Sequence, residues 1–136
     1  MEDKFQSVRG IIVKDNKVLL MHRKKDGEEY WVFPGGHTEE GETPEETLKR
    51  EIWEEVSLNI TRIGKIHPFR HQNGIECFFE CEVEEGEPKI HTSGNKKNTD
   101  NDWYNPEWVE LSKAKKLENL YPQPITLKFL ELYENK

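Results

Sequence analysis

Three glutamates, Glu51, Glu54 and Glu55, stand at positions i, i+3 and i+4. A helix turns about 100° per residue, so with Glu51 as origin Glu55 lies at about +40° and Glu54 at about −60°. Carboxylates sharing one helix face repel one another unless a cation sits between them. Hard oxygen donors suit Mg²⁺ or Mn²⁺ rather than a soft metal, and Mg²⁺ held by a few carboxylates leaves positions for water and substrate phosphate. A run of acidic residues is ordinarily a solvated helix face. Here it follows Phe33-Pro34-Gly35-Gly36, and Glu42 and Arg50 precede it.

These carboxylates need a helix and a turn to present them. Thr43 is a good N-cap, Pro44 suits the first helical position, and Glu46 stands three residues after the cap. Leu48, Ile52 and Val56 fall between about +60° and +140° on the same wheel, an apolar stripe that can dock on a core. Glycines before the helix let another group approach the main chain closely.

The stretch 36–58, GHTEEGETPEETLKREIWEEVSL, resembles the Nudix box, G-x5-E-x7-R-E-U-x-E-E-x-G-U with U a bulky apolar residue. Gly36, Glu42, Arg50, Glu51, Ile52, Glu54, Glu55 and Leu58 stand at its positions, and Ser57 stands where the pattern has Gly. That Gly serves the turn ending the helix, so Ser57 bears on cap geometry rather than on the metal site.

The resemblance implies an α+β fold, a Nudix-type α/β/α sandwich with a mixed central sheet. It implies water attack on a pyrophosphate bridge of a nucleoside diphosphate derivative, with Mg²⁺ (or Mn²⁺) held by Glu51, Glu54, Glu55 and the carbonyl of Gly36. Arg50 would pair with Glu42 and hold the ligating carboxylates in place. Glu54 or Glu55 could take the proton from water, as could Asp102, since several family members use a carboxylate from the loop before a buried Trp, here Trp108. Arg23 ends a segment resembling the family strand whose basic tail faces substrate. The substrate expected is a nucleoside triphosphate, oxidised or not, giving monophosphate and pyrophosphate. The alternatives are an ADP-sugar or dinucleotide hydrolase, or a nucleotide-sensing module without catalysis.

Composition sets bounds. A chain of 136 residues suits one domain, 1–136, with a real core. Net charge is −7, which speaks against a nucleic-acid polymer as partner but not against a single nucleotide. No apolar run has membrane length and no signal peptide leads the chain, so the expectation is a cytoplasmic protein without membrane partners. Cys77 and Cys81 are about 13 Å apart along a strand, too far for a disulfide, and read as buried free thiols in a reducing compartment. The histidines show no zinc spacing.

Along the chain, 8–13 and 18–23 read as strands of a hairpin across the 14–17 turn, followed by a short strand at 30–33. Extended segments follow at 62–69 and 75–83. In the second, Phe79, Cys81 and Val83 alternate with Glu80 and Glu82, predicting one buried and one wet face. Residues 92–101 are polar and read as a loop, 106–111 as a short strand, 112–120 as a helix capped by Ser112, and 125–133 as an amphipathic helix with Phe129, Leu130 and Tyr133 in a stripe. Tyr30, Trp31, Phe69, Trp103 and Tyr104 are available to stack on a base, and Gln123 to meet a base edge. Arg70 and His71 could meet phosphate. Trp53 faces away from the apolar stripe, toward a second helix or a dimer contact, so monomer and homodimer both stay open.

Overall fold

The computed structural model describes residues 5–71, 74–89, 102–121, 130, 131 and 133. In chain order its elements are β1 (Phe5–Lys14), β2 (Lys17–Lys25), β3 (Glu28–Val32), β4 (Gly35–His37), α1 (Pro44–Val56), β5 (Ile60–His71), β6 (Gly74–Val83), β7 (Asp102–Glu110), α2 (Leu111–Ala114) and β8 (Leu120–Tyr121). One mixed sheet runs β5-β6-β1-β2-β3-β8, with β4 added on β1 and β7 on β2. The β1–β6 and β3–β8 pairs are parallel and the rest antiparallel.

The expected hairpin forms. Lys14 pairs with Lys17, and Asp15 and Asn16 both take positive φ, 52° and 62°. Two left-handed central residues make the turn whose twist matches the flanking strands, and Asp and Asn tolerate that region better than most residues.

Core side chains divide between two faces. Leu48, Ile52 and Val56 are fully buried and dock α1 on Val8, Ile12, Leu19, Met21, Cys77 and Phe79. On the opposite face Ile11, Val18, Leu20, Phe33, Phe78, Leu111, Ala114, Leu120 and Leu130 pack together. Phe33 and Phe78 meet edge to face with centroids 5.8 Å apart. The expectation of a wholly wet second face on β6 therefore fails at Phe78: the central sheet is covered on both sides, so both faces of β6 carry apolar side chains there. Cys77 and Cys81 are free buried thiols as expected, and burial pushes them up to about 11 and about 12, which keeps them protonated and unreactive.

Two further expectations are corrected. α2 spans Leu111–Ala114, begins before Ser112, and has Glu110 at its cap position with no side-chain cap bond. The Leu111 N–H donates instead to the Asn16 carbonyl at 2.9 Å, tying the helix start to the β1–β2 turn. The strand expected at 106–111 is longer, because β7 pairs along β2 from Lys17↔Glu110 to Lys25↔Asp102. Asp102 thus opens a strand. The 92–101 segment, Gln123 and Phe129 lie outside the described residues. Leu130 is fully buried and Tyr133 packs beside it. Trp53 is 41% exposed. Among the described residues no helix is long and apolar enough to cross a membrane.

Ser57 closes α1 in the left-handed region, φ 58° and ψ 35°, with its N–H donating to the Trp53 carbonyl. A side chain costs about 1–2 kcal/mol in that region, partly offset by the greater unfolded-state freedom of glycine. Ser57→Gly should therefore raise the unfolding free energy by about 0.5–1 kcal/mol. Urea unfolding measures it, and a loss of stability would contradict the cap reading.

Candidate active site

The glycine turn is pinned to β1 from two directions. Phe33 is fully buried and anchors its start. The Phe33 carbonyl accepts from Arg9 Nη1 at 2.9 Å, and the Pro34 carbonyl accepts from the Gly10 N–H at 2.8 Å. The chain then pairs with β1 as Arg9↔Gly35, Val8↔Gly36 and Ser7↔His37. Gly35 has φ +155°, and a Cβ there would strike the Val8 carbonyl oxygen. A Cβ on Gly36 would overlap the Glu51 carboxylate. The spacing between Gly36 and Glu51 thus has a steric meaning: the carboxylate packs where a side chain at 36 would stand.

α1 starts as its sequence signals. Thr43 Oγ1 accepts from the Glu46 N–H and Glu46 Oε1 accepts from the Thr43 N–H, each at 3.1 Å. One turn on, Arg50 organises the acidic face. Its Nε donates to Glu42 Oε2 at 2.7 Å and its Nη2 to Glu42 Oε1 at 3.0 Å, a two-pronged pair. Nη1 donates to Glu51 Oε1 at 2.8 Å and Glu54 Oε2 at 3.3 Å, and Nη2 also reaches the His37 carbonyl at 3.2 Å. Glu55 turns the other way and accepts from the Gly35 N–H at 3.0 Å. The cation that this carboxylate crowding requires is supplied in part by the chain itself.

These bonds move titrations. The Arg50 bonds, then the Glu39 N–H, hold Glu42 down to about 2. The same pair raises Arg50 above its ordinary value. Because the folded Glu42 is the stronger acid, the unfolded chain binds its proton first as pH falls below about 4.5. The Glu42 contribution is full above that pH and lost as pH falls toward about 2. Glu42→Gln should therefore show a shallower loss of stability across that window, read from urea midpoints at successive pH values. An unchanged acid limb would contradict the pairing.

Gly36, Glu42, Arg50, Glu51, Glu54 and Glu55 are thus brought together as the box spacing predicts. Arg23 and Asp102 are brought to each other, Arg23 Nη2 donating to Asp102 Oδ1 at 3.0 Å. The Arg23 guanidinium lies 5.9 Å from the Tyr30 ring centre and 5.8 Å from that of Tyr104. Asp102 is therefore an ion-paired strand residue rather than a loop carboxylate. His22 stacks on Trp31 at 4.0 Å and bonds Glu107, so Trp31 spends one face inside the protein. The role of Arg9 is not legible in the sequence; the one signal is an arginine inside the apolar run of β1.

The donor set fits a hard divalent cation: every donor is an oxygen, and only glycine at 36 leaves room for the Glu51 carboxylate. Among the described residues, no three His, Cys, Asp or Glu side chains converge as a ready-made cation site. Glu51 and Glu54 turn toward Arg50 and Glu55 toward the Gly35 N–H, so metal uptake would require these carboxylates to exchange partners.

Residues 4–127 match the model of the NUDIX domain. The RNA pyrophosphohydrolase of Psychromonas ingrahamii (strain DSM 17664 / CCUG 51855 / 37) is 39% identical over 62 residues, 46% of this chain and 34% of that protein. The chain thus spans about a third of the length of that relative. Among solved structures, a NUDIX-family hydrolase from Clostridium perfringens matches with TM-score 0.70 and 21% identity, covering 97% of this chain and 99% of the other. The MutT protein from Methanosarcina mazei Go1 matches with TM-score 0.64 and 21% identity, covering 99% and 96%. At such identities the structures speak for the fold, a mixed sheet with few helices.

Proposed function

This chain belongs to the NUDIX family, and on that premise we propose that it is a pyrophosphohydrolase acting on nucleoside diphosphate derivatives, with 1–136 working as one domain. The observation that carries the reading is the Arg50-centred acidic face of α1 beneath Gly36. A nucleoside triphosphate, oxidised or not, is the proposed substrate, giving monophosphate and pyrophosphate.

The carbonyl of Gly36 with Glu51, Glu54 and Glu55 would hold Mg²⁺ or Mn²⁺. When bound, the cation lowers the pKa of a coordinated water and neutralises charge on the phosphate oxygens. The remaining work is positioning and charge placement, which is most of what phosphoryl transfer needs. Glu51, with its side chain 9% exposed, is the rigid donor. Glu54, 44% exposed, is the acid most open to solvent and to substrate water. Glu54 or Glu55 takes the proton of the attacking water, with Asp102 as the other proposed acceptor. The hydrogen bond from Arg23 Nη2 fixes the Asp102 carboxylate at 3.0 Å from that guanidinium. Arg23 and Gln123 are the proposed substrate contacts.

A screen of nucleoside triphosphates, dinucleotides and nucleotide sugars with Mg²⁺ or Mn²⁺, read as released phosphate or pyrophosphate, tests this. No product from any of them would sink it.

An RNA 5′ end is the second reading. It is favoured by the name of the curated relatives and by one feature of this chain: Arg62, Lys65 and Arg70 lie on β5, which carries no Asp or Glu. This would reverse the expectation drawn from net charge, by a local basic edge on an acidic protein. A triphosphate-capped oligonucleotide in the screen separates the two readings. Preference for it over a free triphosphate, weakened steeply by salt, would favour RNA.

A further inference from the structure

Arg9 lies outside the box, on the middle of β1, and its bonds lead to the turn that the box depends on. Besides donating to the Phe33 carbonyl at 2.9 Å, it places Nε 3.5 Å from Glu76 Oε2 on β6. Ser7 Oγ donates to that same Glu76 oxygen at 2.7 Å. The group is largely enclosed: Ser7 is 6% exposed, and the Arg9 and Glu76 side chains 25% and 15%.

The residues after Phe33 give these bonds their consequence. Two successive carbonyls, of Phe33 and Pro34, are held by β1, the first by the Arg9 side chain and the second by the Gly10 N–H. The next two residues are those the glutamates meet. Gly35 donates its N–H to Glu55, and Gly36 leaves the space in which the Glu51 carboxylate sits. Proline between them has a fixed φ, so a shift of the Phe33 peptide is passed on to Gly35 rather than absorbed. A charged donor on a carbonyl makes a stronger and more directional bond than a neutral one.

The alternatives fit less well. A purely stabilising role is the weaker account, because partly exposed ion pairs contribute little to stability. A direct phosphate contact would need a guanidinium not already committed to a backbone carbonyl and turned toward a carboxylate.

We propose that Arg9, oriented by Glu76, is a positioning residue that sets the height of the Phe33–Gly36 turn over α1. It thereby sets the distance between the Gly36 carbonyl and the box carboxylates. The inference rests on the reading of Gly36, Glu51, Glu54 and Glu55 as the donors of a divalent cation.

The test uses Arg9→Met, which keeps side-chain length without charge or donors, Arg9→Lys, which keeps one charged donor, and Glu76→Gln. Mn²⁺ binding to the nucleotide-free protein is read by electron paramagnetic resonance, and kcat is followed against Mg²⁺ concentration at saturating nucleotide. Loss of a residue that orients metal ligands costs about 10–100-fold in metal affinity. Arg9→Met should weaken Mn²⁺ binding by about that factor and raise the half-saturating Mg²⁺ alike. The nucleotide KM at saturating Mg²⁺ should stay within about twofold, since uniform substrate binding is untouched. Arg9→Lys should recover part of the affinity, and Glu76→Gln should lose less than Arg9→Met.

Mn²⁺ affinity within about twofold of wild type in a folded Arg9→Met protein would overturn the proposal, twofold being a small step beside the loss expected. Should Arg9→Met fail to fold, unchanged affinity in both other variants overturns it. Glu54→Gln/Glu55→Gln, run alongside, separates this from failure of the metal-site reading. Mn²⁺ binding lost there but intact in the Arg9 variants removes only the role of Arg9. No Mn²⁺ uptake by the wild-type protein at millimolar concentration removes both.

Discussion

Glu54→Gln with Glu55→Gln should abolish most hydrolysis while leaving the fold in place. Either carboxylate alone, as a proton acceptor, is worth about 10²–10⁴ in rate, and the pair also supplies half of the proposed metal donors. The structure explains why folding should survive. Glu54 is 44% exposed, and its contact with Arg50 is the longest of that guanidinium's hydrogen bonds to carboxylates. Glu55 accepts from the Gly35 N–H, and a glutamine carbonyl oxygen can accept the same bond. Only charge and basicity are removed. Circular dichroism and urea midpoints should match wild type, while product release at saturating Mg²⁺ falls by two or more orders of magnitude, on the order of the general-base term. Wild-type turnover in this variant would take the catalytic assignment away.

Arg50→Ala should bring the largest loss of stability among the box residues. It strips the two-pronged partner from Glu42 and the charge partner from Glu51, leaving acidic groups close together with one cation fewer. Breaking a buried pair costs about 3–5 kcal/mol, and Arg50 is a quarter exposed, so about 2–3 kcal/mol is expected. Millimolar Mg²⁺ should stabilise both proteins, since a ligand that binds only the folded state does so by mass action, and the variant, its metal ligands no longer held in place, should gain less than wild type. Arg50→Lys should not restore wild-type stability, because an ammonium cannot make the planar fork to Glu42. Urea unfolding with and without Mg²⁺ measures both effects. Stability equal to wild type in EDTA would show that Arg50 does not hold this face together.

Much of the positioning is legible in the sequence because local rules and tertiary packing agree in it. Thr43, Pro44 and Glu46 mark the helix start, and Leu48, Ile52 and Val56 mark the buried stripe, since helix period alone sorts them. Pairing of Arg50 with Glu42 comes from the box resemblance. The illegible parts depend on non-local contacts. Phe78 reads as an interruption of an alternating strand, and only the packing against Phe33 on the far face of the sheet explains it. α2 starts at Leu111 because of a bond to Asn16, nearly a hundred residues earlier, which no local cap signal encodes. Asp102 is expected in a loop because the family resemblance places a carboxylate in the loop before a buried Trp, whereas here it pairs with Lys25 at the start of β7. Arg9 carries no motif, and its role depends on a turn more than twenty residues away.

The parallel contact between β1 and β6 has a consequence for biosynthesis. Val8 is set beside Cys77 and Ile12 beside Cys81, so the strand that braces the glycine turn waits for a neighbour made much later. While the ribosome is still extending the chain, the hairpin and the box helix can form from local contacts, but β1 has one side bare. Until β6 emerges, that side is an unpaired strand border able to recruit foreign strands. Nascent chains stalled short of residue 77 should therefore aggregate or engage chaperones, and chains released past residue 110, with β6 beside β1 and β7 beside β2, should not.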